Sequence, residues 1–252
     1  MVGIAMKNII RIIILIIALG LMGFSGYKLL EIYREYKAGE SFYEDYVEKF
    51  VNTSHAKEVG KVEEEDTGLT IDFDALLAEN PDIVGWIYSE GTVINYPIVQ
   101  ADDNDYYLRR MLDGSHNTAG SIFMDFRNSP DFSDLNTIIY GHNMKNQTMF
   151  GTLKEYRDQD YYEKHPEIYI YTPHKKYSIK LIAGYRIDMY YDIDILPQDW
   201  EELKSLYDEV VGLSTFQADI PLKEGDRLVT LATCREGDNT QRYLLIGIAN
   251  EL

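Results

Sequence analysis

The sequence predicts a mainly β fold, an antiparallel barrel or sandwich, carried behind one membrane-spanning helix. Three observations predict it. Residues 9–27 are apolar apart from Arg11. Eight short runs rich in β-branched and aromatic residues, split by turn residues, follow from residue 83 onward. One late stretch, residues 197–212, breaks that series with helical spacing.

The first stretch is long enough to cross a bilayer, which takes about 20 residues. Lys7 and Arg11 lead into it, and no A-x-A-like cleavage site follows, so the expectation is an uncleaved anchor rather than a signal peptide. Lys28, Arg34 and Lys37 follow the span, so charge does not settle its orientation. Residues 28–51, rich in Glu, Lys and Tyr, read as a polar helix leaving the membrane. Residues 52–68, with the run Glu63, Glu64, Glu65, Asp66, read as a linker. The expected division is an anchor over 1–27, a polar helical stalk and linker over 28–70, and a β-rich domain over 71–252.

A short helix is expected over 72–79, ended by Asn80-Pro81. The strand runs are IVGWIYS, INYPIVQ, SIFMDF, NTIIYGH, EIYIYT, YSIKLIAGYRI, RLVTLATC and RYLLIGIA. Pro173, His174, Lys175 and Lys176 join two of them as a hairpin turn. In 197–212, Trp200, Leu203, Tyr207 and Val210 recur at helical spacing, with Pro197 suited to a start and Gly212 to a stop. Residues 156–165 read as a further helical stretch.

The 252 residues carry a formal charge of −18, which disfavours nucleic acid as a partner, because phosphates need a basic footprint. The simplest role of that charge is a solvated surface, although an acidic face could also select a basic peptide. Hydrophobic residues make up 45%, enough for a core. A single cysteine rules out an intrachain disulfide. Asp102, Asp103 and Asp105 lack the spacing of a calcium loop and read as a solvated turn.

That cysteine, Cys234, ends the strand RLVTLATC, and Arg242 opens the next strand after the loop REGDNTQ. A hairpin would bring both to its mouth, since paired positions have Cβ atoms about 4.5–5.5 Å apart. Taken singly, Cys234 reads as well as a buried structural thiol, and Arg242 as a surface ion pair with Glu236 or Asp238. A thiol nucleophile needs a proton partner, because little of a free thiol is ionised near neutrality. Of five histidines, only His142 ends a strongly apolar strand; His116, in a polar loop, is the next candidate.

TIIYGHNM (137–144) and TLATC (230–234), followed by Arg242, strongly resemble the sortases. VGWIYSEGTVINYPIVQADDNDYYL, GSIFMDFRN and the late helix resemble class B in particular. The resemblance covers about residues 71–252. It implies an eight-stranded β-barrel with N-terminal helices, on the outer face of a Gram-positive cell membrane. It implies a cysteine transpeptidase that cleaves a C-terminal sorting signal resembling NPQTN after Thr. The Thr carboxyl would pass through a thioester to a peptidoglycan amine. Cys234 would be the nucleophile, His142 the acid and base, and Arg242 the oxyanion partner. No cofactor or metal is implied. The partners would be surface proteins that bear the signal, the wall amine and the membrane.

Two positions depart from many relatives: Ala232 stands where a Ser is common, and Glu236 where some class B members have Asp. Other readings of the same residues are a hydrolytic cysteine protease, a pilin-polymerising sortase, a catalytically silent binding module and a membrane-tethered stalk.

Overall fold

A computed structural model of the chain describes residues 2–53, 68–188, 195–233 and 241–252. Eight strands close a barrel: β3 (Ile83–Tyr88), β4 (Asn95–Val99), β5 (Ile122–Met124), β6 (Asn136–Gly141), β7 (Glu167–Tyr171), β8 (Lys176–Asp188), β9 (Arg227–Thr233) and β10 (Gln241–Glu251). Their order around it is β10-β8-β7-β3-β4-β5-β6-β9. The eight apolar runs of the sequence are these eight strands. Six of the eight ladders are antiparallel. The other two, β4 with β5 and β6 with β9, are parallel. The interior is filled by Trp86, Ile98, Ile122, Met124, Ile138 and their neighbours, all fully buried. Closure removes the open edges on which sheets aggregate.

The connections follow local chemistry. Asp72 caps α2 (Phe73–Glu79) by accepting from the Ala75 N–H at 3.0 Å. The β7–β8 turn carries His174, as expected, and is closed by Thr172. Residues 156–165 divide between a 3-10 turn, Leu153–Arg157, and α3 (Gln159–Lys164). α4 (Trp200–Leu213) packs on β8 through Leu203, Leu206 and Val210. It begins three residues after Pro197, because Asp199 is the residue that caps it, accepting from the Glu202 N–H at 2.9 Å. It runs through Gly212, whose backbone is not left-handed, and stops at Ser214.

α1 (Val2–Phe50) is one helix of 49 residues. Its apolar first part, over 9–27, is exposed along its whole length, and it is the one helix among the described residues that could cross a membrane. Its last three turns lie on the barrel, where Tyr43 and Phe50 are buried. The Tyr43 hydroxyl donates to the Gly120 carbonyl at 2.6 Å, and the ring stands edge-on to Tyr96 at 5.3 Å. Asn117 Nδ2 donates to the Glu35 carbonyl and the Thr118 N–H to the Glu35 carboxylate. β1 (Val51–Thr53) then pairs antiparallel with β2 (Leu69–Ile71), so the chain returns beside the helix end. The acidic run at 63–66 lies outside the described residues.

Removing the Tyr43 hydroxyl leaves a buried carbonyl without its donor, which costs roughly 1–3 kcal/mol. Tyr43→Phe is therefore expected to lower the unfolding free energy of the full chain in detergent by about that amount. Urea unfolding followed by tryptophan fluorescence checks it, since Trp86 sits in the core.

Candidate active site

Three strand ends meet at one mouth of the barrel. β6 and β9 run parallel and in register up to Gly141 opposite Thr233. His142 continues the first strand. The second is described to Thr233, and residues 234–240, with Cys234 and Glu236 among them, lie outside the described residues. β10 returns antiparallel to β9, with Leu244 opposite Ala232, and the Tyr243 N–H donates to Thr233 Oγ1 at 2.9 Å. Arg242 therefore lies at the same mouth as Gly141.

His142 is 1% exposed. Its Nε2–H donates to the Leu108 carbonyl at 2.5 Å. A carbonyl only accepts, so Nε2 carries the proton, and proton exchange by the neutral ring runs through Nδ1. Gly141 is required here. A Cβ at that position would stand 2.5 Å from Ile122 Cδ1 and 2.7 Å from the Phe150 ring. The other described histidines are elsewhere. His116 is exposed opposite Arg110, His165 donates from Nδ1 to the Glu90 carbonyl, and His174 is in the β7–β8 turn.

Leu108 ends a 3-10 turn, Tyr106–Leu108, which is held from three sides. Asp103 holds its start by accepting from the N–H groups of Asp105 and Tyr106 at 2.8 and 2.7 Å. Tyr107 donates to Asp82 at 2.7 Å and accepts from Asn80 at 3.0 Å. Asn104 donates to Asp125 at 3.1 Å and accepts from the Phe126 N–H. The carbonyl that orients His142 is thus fixed by groups on three segments, 80–82, 103–104 and 125–126.

Asp125 follows β5 and is 0% exposed. Its carboxylate accepts from Asn104, from the Tyr140 hydroxyl at 3.0 Å, from the Arg127 N–H, and from Arg127 Nε and Nη2 at 2.9 and 3.0 Å. Burial pushes its pKa up, but the Arg127 hydrogen bonds and charge, helped by Asn104, outweigh that and leave it below the ordinary value. Tyr140 is two residues before His142. Burial and then Asp125 raise its pKa, while the cations of Arg127 and Arg242 act the other way. Arg242 is close enough for its charge to be felt there. It is half-buried, and its buried Nε has no hydrogen-bond partner among the described residues.

Sequence reasoning found His142 and Arg242 as strand-end residues. It gave no role to Asp125, Asn104 or Tyr140. The signal was present in GSIFMDFRN, where a lone Asp closes an apolar strand and an Arg follows two residues later. The Leu108 carbonyl carries no sequence signal, since every residue has one.

The family model described as the Sortase domain matches residues 87–249. Sortase B of Staphylococcus aureus is 32% identical over 248 residues, 96% of each chain. Sortase B of Bacillus anthracis, solved with AAEK1, superposes with a TM-score of 0.74 at 31% identity, over 87% of this chain and 100% of that one. The Staphylococcus aureus sortase B–substrate complex superposes at 0.68 and 33% identity, over 71% and 85%. The closed eight-stranded barrel matches these sortase B structures. The chain belongs to the sortases, cysteine transpeptidases, and within them to class B.

Asp125→Asn is expected to cost roughly 1–3 kcal/mol, less than a fully buried pair because Arg127 is partly exposed. The sign with pH follows from the lowered pKa. The ionised carboxylate stabilises the fold above its unfolded value, near 3.8, and that contribution is lost as pH falls through the lower folded value. Unfolding free energies of the two proteins should therefore differ at neutral pH and converge in acid below the unfolded value.

Proposed function

We propose that the chain is a membrane-anchored transpeptidase that cleaves an NPQTN-like C-terminal sorting signal after Thr and transfers the Thr acyl group to a peptidoglycan amine. The observation that carries this reading is the β6–β9 register, with Gly141 opposite Thr233, which supports His142 and Cys234 as neighbours. The family membership and the substrate complex of the Staphylococcus aureus relative support the reaction class.

In this reading the Cys234 thiolate attacks the Thr carbonyl carbon. Arg242 and backbone N–H groups hold the oxyanion that forms. The C–N bond breaks, and His142, as imidazolium, gives its Nδ1 proton to the leaving amine. A thioester remains on Cys234. The incoming amine attacks it, losing a proton to His142, and the thiolate is released as the new amide forms. Glu236 is a candidate helper. Residues 1–27 form the anchor, 28–70 the connection, and 71–252 the catalytic domain on the outer face of the membrane.

Incubating the full chain in detergent with a sorting-signal peptide and an amine, and reading masses, tests the reaction. A Thr-truncated acyl adduct on wild type, absent from Cys234→Ala, is expected. Turnover by Cys234→Ala would overturn the nucleophile assignment. Product joined to water alone, with the amine in excess, would make the enzyme a hydrolase instead.

Arg242→Lys separates oxyanion binding from simple charge balance. Lysine keeps the charge but loses the planar fork of donors. A surface ion pair is worth about 0–1 kcal/mol, so a charge-balancing Arg242 would be replaced with little effect. Loss of an oxyanion donor costs roughly 10²–10³ in kcat. The expected result is a folded variant that loses on the order of 10² in kcat with KM little changed. Alkylation of Cys234 and the melting temperature, measured alongside, show whether the thiolate and the fold are intact.

A further inference from the structure

A cavity of about 530 Å³ lies between α1 and the barrel, outside the mouth that holds His142. Its reachable apolar lining is Tyr36, Val47 and Val93, set over the buried side chains of Tyr43, Tyr96, Met144 and Met149. One rim is acidic. Glu40, Glu44 and Glu48 recur every four residues, so they form a line along one face of α1. Glu40 is engaged by Lys37 and Asn146. Glu44 and Glu48 are exposed and have no hydrogen bond or ion pair among the described residues.

The chemistry narrows the occupant. An apolar floor beneath a line of carboxylates suits a ligand that is cationic on one side and apolar on the other, and a chain of −18 would attract it. Height above the bilayer excludes a lipid headgroup, given the anchor reading of residues 9–27. At 1.5 Å per residue, Glu40 to Glu48 stand about 20–32 Å beyond Tyr27 along the helix axis. The headgroup layer is only about 5–8 Å deep on each side. A polypeptide rising from the membrane reaches this height. Alternate side chains of an extended segment are about 7 Å apart on one face, close to the roughly 6 Å between carboxylates one turn apart on a helix.

We propose that this cavity docks a basic, extended polypeptide segment of a membrane-tethered partner. Alternate Lys or Arg side chains meet Glu44 and Glu48, and the apolar side chains between them lie against Tyr36, Val47 and Val93. Asn146 and Thr148, which also line the cavity, belong to the loop that leaves His142. That loop is closed by the Phe150 N–H on the His142 carbonyl at 3.0 Å, and by Tyr96 accepting from the Met149 N–H at 3.1 Å. Gln147 and Met149 hold positive φ of 65° and 54° within it. An occupant therefore rests on the segment that positions the imidazole, although docking itself needs none of the catalytic roles.

The test uses the full chain in detergent micelles and a fluorescein-labelled peptide of alternating Lys and Leu, with a benzophenone at one apolar position. Saturable binding by anisotropy is expected, with cross-links to Val47 or Val93. Glu44→Gln combined with Glu48→Gln should weaken it by roughly tenfold, the effect of about 1.4 kcal/mol. Glu201→Gln combined with Asp208→Asn, on exposed α4, should leave it unchanged. Raising salt from 0.1 to 1 M, where the Debye length falls from about 10 to about 3 Å, should weaken wild type more than the Glu44/Glu48 variant. Equal losses in both double variants, cross-links mapping elsewhere, or binding of the matching Glu-Leu peptide would overturn the proposal. Because Cys234→Ala can be used throughout, failure here leaves the transpeptidase reading untouched.

Discussion

The parallel pairing of β6 with β9 is the constraint on which the rest of this molecule depends. A parallel pair cannot be joined by a tight turn and needs a crossover. Here the crossover contains α3, β7, β8 and α4, and its return strand leaves the gap beside β8 that β10 then closes. Because the strands are parallel, they end at the same mouth. Chain connectivity therefore brings Gly141 beside Thr233 across more than ninety residues of sequence. An antiparallel pair of the same strands would have put Gly141 and Thr233 at opposite ends of the barrel. β10, returning antiparallel to β9, adds Arg242 to that mouth by ordinary hairpin register.

Beside that covalent logic sits a costly group. Taking a carboxylate out of water costs several kcal/mol even after relaxation. Asp125 meets this with five donors, three from Arg127 and one each from Asn104 and Tyr140. Hydrogen bonds to a charged group contribute about 1.5–3 kcal/mol each, enough to keep the carboxylate ionised. An apolar residue would fill the same space without that cost. What the carboxylate adds is position: Asn104 steers the turn whose carbonyl holds His142, and Tyr140 precedes His142 on β6. The imidazole is oriented through its surroundings from two directions.

These relations were unevenly legible in the sequence. The strands were legible because each is an apolar run bounded by turn residues, and α4 because its period differs. The parallel pairs were not, because periodicity reports burial and not partners. His142 stood out because an imidazole after an apolar strand and a glycine is unusual, and Arg242 because it opens the strand after the sole cysteine. Asp125 stayed unnoticed because a buried carboxylate and a solvated one are the same letter. α4 starts at Trp200 and not at Pro197 as the sequence suggests, because proline marks the neighbourhood of a helix start, whereas the Asp199 carboxylate fixes the residue.

The helix that leads from residues 9–27 to the barrel adds a mechanical consequence. α1 is continuous to Phe50, and its last turns are tied down by Tyr43, Phe50 and the Glu35 contacts. A flexible linker would let the barrel explore a sphere around its anchor, with spread growing as the square root of linker length. A docked helix instead holds the barrel at a set distance from the end of the apolar stretch, about 35 Å of axis between Tyr27 and Phe50. With the apolar stretch in a bilayer, the mouth carrying His142 and Arg242 would sweep a shell parallel to the membrane. Partners tethered in the same bilayer share that shell, which raises their effective concentration without any new contact. In that setting the bonds from Glu35 and Tyr43 to the barrel would bear on which partners the mouth reaches as well as on stability.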